Sequence, residues 1–138
     1  MKTTINIHKG DLRITNENKA SYKEVTIITG DLIISEYVKV ELKKLTEVSG
    51  SIYVRENATL TAPALTKSGY IYVRENATLT APALTKSGYI DVRANATLTA
   101  PALTKSGYID VRANATLTAP ALTEVSGSIY VRENATLT

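Results

Sequence analysis

Residues 85–103 and 104–122 are the same nineteen letters, TKSGYIDVRANATLTAPAL, written twice in succession, and variants of that unit fill most of the chain after Leu45. A period this short confines the chain to a solenoid, because one copy cannot bury its apolar side chains alone and must stack on its neighbours. A recurring Gly marks the rungs: Gly10, Gly30, Gly50, Gly69, Gly88, Gly107 and Gly127, spaced 20, 20, 19, 19, 19 and 20 residues apart. Seven rungs follow, the first two diverged and the last ending at Thr138.

From Gly to Arg each rung alternates apolar and polar residues with a period of two, the signature of a strand. Ile71 and Val73 are expected to face inward, with Tyr70, Tyr72 and Arg74 outward. In the same register Ile90 and Val92 are buried, and Tyr89, Asp91 and Arg93 are exposed. The Gly reads as a corner that needs positive φ or close backbone approach. Asn76 reads as a second turn. Leu79 then points inward between Thr78 and Thr80, and Pro82 keeps a helix from forming before Leu84. Stacking aligns four aliphatic columns: Ile52 to Ile129, Val54 to Val131, Leu60 to Leu137 and Leu45 to Leu122. Leu12, Ile14, Val25, Leu32, Ile34 and Val40 extend them into the diverged rungs. Each buried aliphatic side chain contributes about 1.5–3 kcal/mol, so four per rung is a workable core. Where twenty-residue rungs carry Glu47-Val48-Ser49, nineteen-residue rungs carry Lys67-Ser68, a difference expected to be absorbed at one corner.

The expected fold is an all-β parallel β-solenoid, a right-handed β-helix with rungs of 19–20 residues and no substantial helix. Residues 1–9, with Ile5 and Ile7 alternating, read as an N-terminal capping strand. Residues 10–49 form two diverged rungs, and 50–138 form near-identical repeats that end mid-rung. The spacing L-x-x-V-x-G-x-I-x-V-x-x-N-x-x-L, seen at Leu45, Val48, Gly50, Ile52, Val54, Asn57 and Leu60, resembles leucine-rich repeats and receptor L-domain rungs, and tandem repeats of uncharacterised bacterial and phage proteins. The resemblance implies shape and, by analogy, a binding role. One extra residue between the Asn and the following Leu favours a straight coil over a horseshoe.

The chain has no Cys, Phe or Trp, one His and eight Tyr. Thiolate metal sites are thereby excluded, and neither a metal nor a cofactor is expected. Catalysis needs several convergent, chemically distinct groups. His8 precedes the first rung and reads as a solvated side chain near the cap. Asp91 and Asp110 lie one rung apart, about 4.8 Å, but Arg93 and Arg112 on the same face read as their charge partners. The expected protein is therefore not an enzyme.

Three outward features remain. Tyr53, Arg55, Tyr70, Tyr72, Arg74, Tyr89, Arg93, Tyr108, Arg112, Tyr130 and Arg132 make a strip of the composition found at protein-binding hot spots. This strip is the candidate binding face of a non-enzymatic repeat scaffold with a protein partner. The plain alternative is a solvated sheet face on which Glu56, Glu75 and Glu133 offset the arginines. Second, the pairs Thr59/Thr61, Thr78/Thr80, Thr97/Thr99, Thr116/Thr118 and Thr136/Thr138 would form two files, about 6.6 Å apart across the strand. They resemble the Thr-x-Thr ranks of β-helical antifreeze proteins and make ice binding an alternative function. Third, each Asn of the turn begins a glycosylation sequon, read as incidental, and the column reads as a hydrogen-bonded Asn ladder.

A segment of a surface adhesin is a further alternative. The half-rung around Leu137 reads either as part of a longer protein whose remainder supplies the cap or as an end that associates with the C-terminal end of a second chain. A net charge of +3 is too small for a dedicated nucleic-acid binder. No secretory leader or membrane-length apolar run is seen, so the expected location is cytoplasmic, without membrane contact.

Overall fold

The computed structural model describes residues 6–138, a parallel β-solenoid of about seven turns. Ile5 and the four residues before it, part of the expected capping strand, lie outside the described residues. From the second rung on, each full rung contributes short strands or bridges to three parallel sheets. The Tyr/Arg sheet has seven strands: Leu12–Ile14, Leu32–Ile34, Ile52–Val54, Ile71–Val73, Ile90–Val92, Ile109–Val111 and Ile129–Val131. The Thr sheet has six: Lys39–Glu41, Thr59–Thr61, Thr78–Thr80, Thr97–Thr99, Thr116–Thr118 and Thr136–Leu137. The third side is built from Ile7–His8, Ile27–Ile28, Glu47–Val48 and Lys67–Ser68, then through bridges at Lys86 from Lys105–Ser106 and Glu124–Val125. Register pairs like with like, Ile71 with Ile52 and Ile90, and Leu79 with Leu60 and Leu98.

Two turns shape every standard rung. Ala77 N–H donates to the Arg74 carbonyl at 3.0 Å, closing a turn in which Asn76 has φ of 61°. Asn57, Asn95, Asn114 and Asn134 repeat that left-handed conformation, which Asn tolerates better than most residues. The expected Asn ladder is absent: these side chains are exposed, and among the described residues no hydrogen bond joins them. The Asn column therefore serves backbone conformation. The second turn places Pro82 after Ala81, with Leu84 N–H donating to the Ala81 carbonyl at 3.2 Å.

Of the glycines only Gly10 has a positive φ, 86°. The rest serve close approach. A Cβ on Gly69 would lie 2.5 Å from the Gly50 carbonyl oxygen, so the column stays free of side chains. The nineteen-residue rungs lose the residue equivalent to Ser49 at this corner, since Ser68 pairs with Val48 while Gly69 bonds to Gly50. Ser68 and Ser106 consequently sit where valine points inward, and their hydroxyls donate to the Gly69 and Gly88 carbonyls.

The core is broader than four columns. In the fourth rung Ile71, Val73, Ala77, Leu79, Ala81 and Leu84 are all buried, so two alanine columns complete the interior at the turns. Their small side chains let the chain bend tightly round a narrow coil.

Rung 1 departs from the others. Residues 19–21 align with the strand Lys39–Glu41, yet Lys19–Tyr22 is a 3-10 turn, and the Thr sheet begins one rung late. The cause is Asn18, which stands where Val38, Ala58 and Ala77 are buried. Its carboxamide oxygen accepts from Thr15 N–H at 2.7 Å and its Nδ2 donates to the Arg13 carbonyl at 2.9 Å. This local closure competes with the ladder and diverts the chain outward.

Candidate functional site

Alternation puts the middle residue of each Tyr/Arg strand outside, and stacking converts that position into the column Tyr53, Tyr72, Asp91, Asp110, Tyr130. The position just after the Gly gives Tyr70, Tyr89 and Tyr108 alongside. The two columns share a single row of rings. Tyr53 stacks on Tyr72 at 4.9 Å between centroids, Tyr72 on Tyr89 at 6.1 Å and Tyr89 on Tyr108 at 4.9 Å. Tyr108 then meets Tyr130 at 5.5 Å. The row changes column where Asp replaces Tyr, then changes back. Tyr70, half exposed, packs beside it against Tyr72 and Tyr89.

Asp91 was expected to be exposed, but it and Asp110 are each only 3% exposed. They do occupy the outward register, but an aspartate is much shorter than the tyrosines above and below it. It lies in a trough between the ring row and the arginine column, two residues away on each side. Arg93 Nε donates to Asp91 at 3.1 Å, Arg112 Nε lies 3.6 Å from Asp91 and 3.2 Å from Asp110, and Arg132 Nε donates to Asp110 at 3.0 Å. Arg132 Nη2 adds a second bond at 3.2 Å and its guanidinium lies over the Tyr130 ring. The expected local charge pairing is thus an alternating ladder of three guanidiniums and two carboxylates.

The carboxylates change sides along the stack. Arg55 lies 3.5 Å from Glu56, the next residue, and 3.6 Å from Glu36 in the rung before. Glu75 and Glu133 follow Arg74 and Arg132 in the sequence, with no ion pair to them among the described residues, but Ala94 and Ala113 follow Arg93 and Arg112. The acid lost at that position reappears as Asp91 or Asp110. The two alanines leave a groove of about 440 Å³ bordered by Arg93, Arg112 and Arg132 and ended by Glu75 and Glu133.

Electrostatics follow this packing. A backbone hydrogen bond holds the Glu56 carboxyl below its ordinary range, and the Arg55 and Arg74 charges add to it. Burial raises the Tyr72 hydroxyl, with neighbouring tyrosines adding to the shift, and burial with Asp91 and Asp110 raises that of Tyr89. The Tyr130 hydroxyl, together with burial, pushes Tyr108 up to about 12. The Asp110 carboxylate raises Arg132 further above its usual value.

On the adjacent side, Thr78 pairs with Thr59 and Thr97, and Thr80 with Thr61 and Thr99, so the two threonine files are in register. Thr59 through Thr118 are half-buried, each pair flanking a buried leucine, while Thr136 and Thr138 are exposed. Lys39 and Glu41 occupy the same positions at the start of the sheet. Leu137 is half-buried, whereas Ile129 and Val131 in the last rung are 46% and 47% exposed. His8 is not freely solvated: it lies edge-on to Tyr22, and its Nε2 is 3.0 Å from the Asp11 carbonyl oxygen.

Among the described residues no three His, Cys, Asp or Glu side chains are grouped to hold a metal ion. No helix among them is long and apolar enough to cross a membrane. No protein-family model, curated protein or solved structure matches the chain.

Proposed function

We propose that this solenoid is a non-enzymatic scaffold that binds a protein partner through its Tyr/Arg face. The observation that carries the reading is the unbroken row from Tyr53 to Tyr130 running beside an arginine column of which Arg55, Arg93, Arg112 and Arg132 are already paired with carboxylates. Tyr and Arg supply much of the energy at protein interfaces. Side chains ordered before binding lose less conformational entropy when a partner arrives. Arg93 and Arg112 engage Asp91 and Asp110 through Nε, which leaves their terminal nitrogens as donors for a partner. The spacing from Leu45 to Leu60 supports a relationship to leucine-rich repeats, whose stacked rungs serve the same kind of role by analogy.

The test is affinity capture with quantitative crosslinking, comparing the parent with a variant carrying Tyr70→Ser, Arg74→Ser and Tyr89→Ser. Proteins held by the parent through crosslinks to this face should be lost with the variant. Equal capture by both would overturn the reading. Tight binding of the parent to random DNA or RNA at physiological salt would replace it with a nucleic-acid one.

A second reading rests on a different observation, the in-register threonine files. A flat array of hydroxyl and methyl groups repeating in two directions supports ice binding. A thermal hysteresis assay decides it: activity lost in Thr78→Lys/Thr97→Lys supports this reading, and no activity in the parent removes it.

A further inference from the structure

The diverged first rung leaves a strand position open. Among the described residues Lys39–Glu41 pairs only with Thr59–Thr61, because the aligned segment of rung 1 has turned into the 3-10 element Lys19–Tyr22. Thr59 N–H donates to the Val38 carbonyl and Leu42 N–H to the Thr61 carbonyl. Alternation along a parallel ladder therefore directs the amides of Lys39 and Glu41 the other way, toward rung 1. Between this edge and the 3-10 element lies a cleft of about 430 Å³, with Val40 and Ala20 among its lining.

The cleft is strongly basic. Lys19, Lys23, Lys39, Lys43 and Lys44 line it, against Glu24 and Glu41. Lys44 is paired with Glu24 at 3.0 Å, and Lys19 Nζ donates to the Lys39 carbonyl at 3.0 Å. Lys23, Lys39 and Lys43 have no carboxylate within ion-pair distance among the described residues.

We infer that the edge of Lys39–Glu41 receives an extended, acidic segment of a protein partner as an added strand of the Thr sheet. Backbone amides supply the pairing and the lysines select acidic side chains. Lys19 holds the Lys39 carbonyl until the partner's backbone amide replaces it. This site lies away from the Tyr/Arg face and stands independently of the role proposed there.

The experiment uses the full chain and a fluorescent, acetylated octapeptide of alternating glutamate and valine, with a lysine–valine peptide and an oligonucleotide as comparisons. Anisotropy should show binding of the acidic peptide that weakens with salt, and little binding of the basic one. Glu41→Pro removes an amide facing the cleft while the bonds to rung 3 remain, since proline is tolerated on the open side of an edge strand. It also removes a negative charge, so purely electrostatic binding would tighten. Strand addition predicts instead a loss of about tenfold or more. In the unmodified chain, saturating peptide should slow hydrogen exchange at the Lys39 and Glu41 amides. Undiminished exchange there, unchanged or tighter binding by Glu41→Pro, or displacement of the peptide by the oligonucleotide with equal affinity would overturn the inference.

Discussion

Arg112 bridges Asp91 and Asp110, with Nε 3.6 Å from one carboxylate and 3.2 Å from the other. Two buried carboxylates one rung apart repel each other, and the guanidinium between them offsets that repulsion. Arg112→Ala should therefore cost about 1–3 kcal/mol, because it leaves buried negative charge underpaired. Asp91→Ser, which an exposed side chain would tolerate silently, should also destabilise measurably. Chemical denaturation of both variants and the double variant gives the coupling directly.

Tyr37 holds the turn position that Asn fills in later rungs, with φ of 62° and a largely exposed ring. A tyrosine in the left-handed region carries strain that asparagine relieves. Tyr37→Asn should raise stability by about 0.5–1 kcal/mol, and Asn76→Ala should lower it by a similar amount. Matched thermal melts test the pair, and a destabilised Tyr37→Asn protein would contradict the strain argument.

The raised hydroxyls of Tyr72, Tyr89 and Tyr108 favour the neutral ring in the folded state. Their contribution to stability is complete below the unfolded value near 10. It is lost as pH rises through the folded values, which for Tyr108 is about 12. Tyrosinate absorbance should thus show a fraction of rings ionising late, and unfolding should release them together. Tyr130→Phe removes the hydroxyl beside Tyr108 and should move that late step downward.

Deleting residues 85–103 joins Leu84 to Thr104 and brings equivalent backbone positions together. Ile71 would pair with Ile109 as it now pairs with Ile90, and Leu79 with Leu117 as with Leu98. Rungs contact only their neighbours, so the shortened chain should fold with the same circular dichroism and a lower melting temperature. Failure to fold would mean that contacts beyond adjacent rungs hold the molecule.

Gly69→Ala tests the glycine column. Its methyl group would collide with the Gly50 carbonyl, so adjacent rungs must separate locally. The expected loss is at least about 2 kcal/mol, comparable to other strained core substitutions.

The period of the Gly column and the alternation through Ile90 and Val92 were enough to specify rung, register and core face. Alternation assigns direction only, however. Asp91 does point outward, and its burial depends on the height of the tyrosines and arginines around it, a property of the stack. The Asn column was legible as a turn but not as an unbonded one. Rung 1 kept its twenty-residue spacing while Lys19-Ala20-Ser21 mimicked Lys39-Val40-Glu41. The signal for its departure was Asn18, a polar residue in a column otherwise filled by Val38 and alanines.

The exchange of Glu for Ala after Arg93 and Arg112, matched by Asp in place of Tyr, keeps one arginine and one acid in each of those rungs. A stack of interchangeable rungs has translational symmetry, and a partner reading it would find several equivalent seats and slide among them. Moving the negative charge from one side of the arginine column to the other, in two adjacent rungs only, breaks that symmetry without altering the total charge. The solenoid thereby carries a mark along its axis, which a rigid partner of the kind proposed would read as one seat distinct from its neighbours.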